Sequence, residues 1–163
     1  MKKLVLSFLL LFTISSLFAQ EYTLEGNEVK TPYTVLFKTG KAILDPESDS
    51  AIGVIKRYLD AKKYITLMRV ECHTDNSGNA KDNQQLSEQR AMSVCRRLVL
   101  LGVDCKRLSP VGFGGSKPVA DNSTPDGPGL NHRVCFINAG LMGRMIGGMP
   151  ADGGGKVAGN PCL

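Results

Sequence analysis

Glu71–Ala91 reads ECHTDNSGNAKDNQQLSEQRA, and the change of character along it decides the fold. The apolar, β-branched run Ile65–Cys72 leads into it and is predicted to be a strand. His73–Asn79 is a loop, dense in Asp, Asn, Ser and Gly. A helical period then begins, predicted over Lys81–Leu101 and stopped by Gly102, where left-handed geometry after a helix end suits glycine. At about 100° per residue from Leu86, the side chains of Leu101, Val94, Leu98 and Ala91 fall within an arc of about 140°. Asn83 and Arg90 lie inside that arc, which is unusual for polar side chains unless they look into a site near the helix start. The stretch thus sets a carboxylate, Asp75, in a loop and a guanidinium, Arg90, fifteen residues later on a helix. Such a pair suits a zwitterionic ligand, the acid taking an ammonium and the planar fork gripping a carboxylate.

Upstream, Asp45-Pro46 marks a helix start, with Asp as N-cap and Pro in the first turn where its missing N–H costs nothing. Ala51, Ile52, Ile55, Tyr58 and Leu59 continue it at helical spacing. Before that helix, Tyr33–Phe37 is predicted to be a short strand. Downstream, Leu108–Gly112 is predicted as the third strand and His132–Asn138 as the fourth, with a Gly/Pro/Asn loop to Leu130 between them. The order β-α-β-α-β-β predicts an α/β two-layer sandwich. Crossover helices imply parallel strand pairs, and the short final connection permits an antiparallel one.

With 163 residues the chain holds one domain. Residues 1–19 combine Lys2 and Lys3, an apolar run from Leu4 and a small-residue end at Ala19, the pattern of a cleaved secretory signal. The apolar run is shorter than a spanning helix needs, and no Cys follows it to take a lipid. The net charge of +5 falls to +3 without the two signal lysines, a modest excess suited to an anionic polymer. Nucleic acid is excluded as a partner, because the Lys and Arg are dispersed and no basic run is interleaved with aromatics. Residues 20–33 are expected as a polar lead-in. Residues 140–163, with eight glycines and the cluster Leu141-Met142-Gly143-Arg144-Met145-Ile146, are expected as a flexible tail.

Four blocks in order, Glu71-Cys72-His73-Thr74-Asp75, Asn83 to Ala91, Gly102-Val103-Asp104 and Asn131-His132-Arg133-Val134, resemble the OmpA-like (OmpA/MotB) domain over about residues 34–139. That family's pattern runs E-G-H-T-D, N-x-x-L-S-x-x-R-A, G-V-D and N-R-R-V. The resemblance implies a mixed four-stranded sheet with helices on one face. It also implies a periplasmic, non-enzymatic module that holds an outer-membrane or envelope protein to peptidoglycan without a covalent bond or cofactor. The ligand it implies is the diaminopimelate of the wall peptide, with Asp75 on the ammonium and Arg90 on the carboxylate. Asn83, Thr74, Leu86, Phe37 and His132 complete the candidate set. Departures bear on the outer contacts: Cys72 stands where the family has glycine, Gly40 ends a loop that usually carries a polar ligand contact, Pro128 stands where arginine often follows the loop glycine, and His132 replaces an arginine. A histidine carries charge only when protonated. Turned toward a ligand carboxylate, His132 would strengthen binding as pH falls from about 8 to about 6. The second reading is an assembly protein with weakened wall binding that uses its tail or lead-in to hold a partner. Oligomeric state is not legible.

Five cysteines in an exported chain allow disulfides. Cys95 late in a helix and Cys105 just past its end are the most local pair and the first choice. Cys72 and Cys135 on two predicted strands are the second, with two small buried thiols as the alternative, and Cys162 is left over. A metal site or thiol nucleophile built on Cys72 and His73 is disfavoured, since adjacent strand residues point to opposite faces.

Overall fold

The computed structural model describes residues 21–163; the signal predicted over residues 1–19 lies outside them. Strand β3 (Ile65–His73) is at the centre, and from Met68 onward it is buried on both faces. Parallel β4 (Leu108–Gly114) lies on one side of it and antiparallel β5 (Arg133–Leu141) on the other. Met68 and Val70 of β3 and Phe136 of β5 face a core shared with α1 (Ser48–Ala61) and α2 (Ala80–Leu100), through Ile52, Ile55, Leu59, Val94 and Leu98. Both helices therefore cover one face, as the family pattern implies. Gly112 of β4 lets α2 come close: a Cβ there would sit 2.4 Å from the Glu88 backbone nitrogen.

The helix boundaries follow their local chemistry. Asn79 caps α2 by accepting from Lys81 N–H at 2.8 Å and Asp82 N–H at 3.3 Å, and Gly102 takes φ +93° beyond its end. Asp45 does not cap α1 directly. It accepts from Glu47 N–H at 3.1 Å in a turn that delivers the chain into the helix.

Three expectations about the periphery are corrected. Tyr33–Phe37 is not a strand. Its ladder is reduced to one bridge, Phe37 to Leu44, and the buried Ser48 hydroxyl holds Leu36 by both its N–H and its carbonyl at 2.8 Å. Within the lead-in, β1 (Thr23–Glu25) and β2 (Glu28–Lys30) form a hairpin turned at Gly26, and β2 joins β5. The glycine-rich end is laid down rather than loose. Its β6 (Arg144–Met145) folds back on β5, its β7 (Lys156–Val157) pairs with β4, and residues between them form a strap across the face opposite the helices. Glycine is what permits this closeness: a Cβ on Gly155 would meet the Phe113 ring at 2.6 Å. The sheet has seven strands rather than four, in the order β1-β2-β5-β3-β4-β7 with β6 on β5.

The cysteines pair differently from both expectations. Cys105 is bonded to Cys162, 57 residues away. Cys95 is fully buried in the helical core and free, so it faces inward while Cys105 sits in a 3-10 turn (Cys105–Arg107) outside α2. Cys72 and Cys135 are also free, because Cys72 lies opposite Val134 while Glu71 lies opposite Cys135. One residue of offset puts the two thiols on opposite faces of the sheet.

Candidate functional site

The loop after β3 is folded by its own polar groups. Thr74, 2% exposed, receives Gly114 as partner for its N–H at 2.9 Å, and its hydroxyl donates to Asp75 O at 2.9 Å. Asn83 donates to Ser77 O at 2.7 Å and Asp75 O at 3.4 Å, lashing the loop to α2. These two residues therefore shape the loop backbone. Asp75 accepts from Ser77 N–H at 2.8 Å and touches His132 Nε2 with its other oxygen at 3.3 Å. Burial tends to raise the Asp75 pKa, but the Ser77 N–H and the neighbouring His132 outweigh it and hold the carboxyl below its usual range.

Arg90 lines a cleft of about 200 Å³, whose other walls include Phe37, Cys72, His132 and Val134. Its Nε donates to Lys41 O at 3.1 Å, and its guanidinium carbon lies 4.9 Å from the centre of the Phe37 ring. Among the described residues no carboxylate pairs with it, so the two terminal nitrogens of the fork have no protein partner. Burial lowers the Arg90 pKa, the direction expected of a cation removed from water without a counter-ion. Asp75 and Arg90 do not form an ion pair.

The predicted set is thus partly convergent. Arg90, Phe37 and His132 share one cleft, and Asp75 adjoins it through His132. Asp75 also borders a second hollow with Asn83 and Gln84, and Leu86 lies beside Gly40 in a shallower one, apart from the Arg90 cleft. His132 is turned toward Asp75, with Nε2 3.3 Å from its carboxylate, and also lines the Arg90 cleft. The contributions of Lys41 O, which holds Arg90, and of Ser77 N–H, which holds Asp75, escaped the sequence reading. They are main-chain groups whose direction no side chain announces.

The opposite face holds a second polar cluster. Arg69 bonds Glu71 at 2.7 Å and donates to Gly147 O at 2.7 Å and Gly148 O at 2.9 Å on the strap. Burial would raise the Glu71 carboxyl, but His73 and Arg69 together hold it below its usual range. His73 stacks on Phe113 at 4.8 Å with Nε2 3.5 Å from Glu71, and burial pushes its pKa down toward the neutral ring. Cys72 points to the helical side and its thiol is pushed well up by burial, so Cys72 and His73 do not form a catalytic couple.

A mixed sheet with its two long helices on one face carries this cleft at the end of the central strand, and the chain belongs to the OmpA family, which residues 36–131 match. The outer-membrane lipoprotein YfiB of Pseudomonas aeruginosa is 41% identical over 113 residues, covering 69% of this chain and 67% of that protein. Outer membrane porin F of Pseudomonas fluorescens is 39% identical over 108 residues, 65% of this chain but only 32% of the porin. The peptidoglycan-associated lipoprotein from Burkholderia pseudomallei superposes with a TM-score of 0.58 at 25% identity, covering 64% of this chain and 88% of that one. No helix among the described residues is long and apolar enough to cross a membrane.

Proposed function

We propose that this chain is a non-enzymatic module of the periplasm that holds an envelope component to peptidoglycan, gripping the zwitterionic end of diaminopimelate between Asp75 and Arg90. The observation that carries the proposal is the state of Arg90: fixed by Lys41 O and the Phe37 ring, partly buried, and with both terminal nitrogens left over as donors. A ligand carboxylate satisfies those donors bidentately. The Asp75 carboxylate, kept ionised by Ser77, is the matching acceptor for an ammonium. The kinship with a peptidoglycan-associated lipoprotein and with outer-membrane proteins supports peptidoglycan as the partner and the envelope as the compartment.

The mature protein is expected to co-sediment with purified sacculi whose peptides contain diaminopimelate and not with sacculi that contain lysine in its place. Equal retention by both would remove diaminopimelate as the ligand. One observation favours the second reading, an assembly protein with weakened wall binding: His132 already occupies one Asp75 oxygen. Sedimentation no better than that of an Asp75→Ala variant would establish that reading instead.

A further inference from the structure

Strands β2 and β5 are zipped only in part. Their residues pair with numbers that sum to a constant, Glu28 with Ile137 and Val29 with Phe136. Asn138 donates its N–H to Asn27 O at 2.8 Å, so the even-numbered residues of β5 direct their backbone groups toward β2. In an antiparallel ladder such bonded pairs recur every second residue. After Asn138 with Asn27 and Phe136 with Val29, the next pair is Val134 with Thr31, and it is not made. The Thr31 hydroxyl instead closes on Tyr33, donating to its carbonyl at 2.6 Å and lying 3.3 Å from its N–H. The chain then swings out around Pro32 and is next held at Leu36 by Ser48. Among the described residues no backbone group bonds Val134 from that side.

The gap is not closed by side chains. A hollow of about 160 Å³ opens where Thr31 and Val134 would have met, and it shares Val134, His132 and Thr34 with the Arg90 cleft. An unpaired N–H and C=O of a strand therefore face a groove that runs on into the proposed clamp.

Resting on the proposed function, we infer that the N–H and C=O of Val134 form a strand-pairing subsite for the backbone of the wall peptide that carries the clamped residue. An extended peptide entering this gap supplies the missing partner of β5, so the site reads a peptide and not the free amino acid. The main-chain bonds give affinity without regard to side chains, as in other cases where a peptide adds to a sheet.

The test is amide hydrogen exchange on the mature protein, alone, with free meso-diaminopimelate, and with a soluble stem tripeptide ending in diaminopimelate. Saturating tripeptide is expected to slow exchange at Val134 by about tenfold or more, as befits a newly bonded amide, while free diaminopimelate leaves it unchanged. A tripeptide series N-methylated at one amide at a time is expected to contain one member that binds roughly five- to tenfold more weakly, the worth of one hydrogen bond. If the tripeptide binds in an Arg90-dependent manner with Val134 exchange unaltered, the subsite is refuted and the clamp stands. If neither ligand binds, the clamp is refuted and the subsite with it.

Discussion

Two arginines on opposite faces of the same sheet show how this fold separates support from recognition. Arg69 is buried with Glu71 and two strap carbonyls, so each of its three nitrogens has a protein acceptor. Arg90 is held by one carbonyl and one aromatic ring, and the rest of its fork is uncommitted. A buried charge that is fully paired locks two layers together, and a partly buried one left unpaired is open to a ligand carboxylate, the role proposed for Arg90. The two should therefore respond oppositely to mutation.

The largest effect is expected at Arg69. Arg69→Met leaves Glu71 buried without its cation and should cost about 3 to 5 kcal/mol in urea unfolding; adding Glu71→Leu should recover most of it, and failure to recover would mean that the pair itself is not the cause. Next comes the disulfide that anchors the strap, Cys105 to Cys162. Closing a loop of 57 residues is worth about 4 kcal/mol in the chain-entropy account, so Cys162→Ser should lower the unfolding midpoint while sacculus binding persists. Arg90→Ala inverts the pattern: binding to sacculi should fall by about 2 to 5 kcal/mol, with stability unchanged or slightly higher, because a poorly compensated cation has been removed. A large loss of stability in that variant would mean that Arg90 is structural.

Smaller effects concern pH. Asp75 and Glu71 both have folded-state pKa values below those of the unfolded chain. The unfolded state then takes up protons first, so their stabilisation is full above about pH 4.3 and is lost as pH falls through the lowered folded values. Glu71→Gln should flatten the acid limb of the stability curve, which a denaturation series from pH 6 to pH 2.5 reads directly. The smallest effect is assigned to His132. Its Nε2 lies 3.3 Å from Asp75, where a ligand ammonium would have to sit, so His132→Asn should change wall binding by no more than a few-fold, on the order of one weak surface ion pair. Tighter binding to sacculi by His132→Asn would mark His132 as a competitor for Asp75, and weaker binding would return it to the ligand carboxylate.

The central elements were legible because their signals are local. Helix α2 begins and ends within one residue of the prediction, since Asn79, the apolar arc and Gly102 all act within a few positions. Strands β3, β4 and β5 were found by their apolar runs, though β4 continues to Gly114 and β5 to Leu141. The periphery was not legible, because it is made by distant partners. Three-residue β1 and β2 carry too few residues for a period, and β2 exists because β5 lies beside it. The glycines of the strap read as freedom, yet they are there for close approach to Phe113. Tyr33–Phe37 has strand composition, but Ser48 on a helix captures Leu36. The cysteine pairing failed for the same reason: sequence proximity favoured Cys95, whose side chain belongs to the core. Within the site, Asp75 and Arg90 were proposed from the ordered family motif, while the absence of an ion pair between them and the turn of His132 toward Asp75 needed coordinates.

The outermost strands have a bearing on how the protein behaves when crowded. At one margin β1 has three residues and ends in Glu25, which Lys30 approaches at 3.8 Å; at the other β7 has two residues and includes Lys156. A rim this short and this charged offers a neighbouring molecule almost no template for adding strand to strand, the route by which flat, apolar sheet margins seed fibres and precipitates. Sheet width and resistance to edge-to-edge growth are thus separable, because only the two outermost strands meet a neighbour.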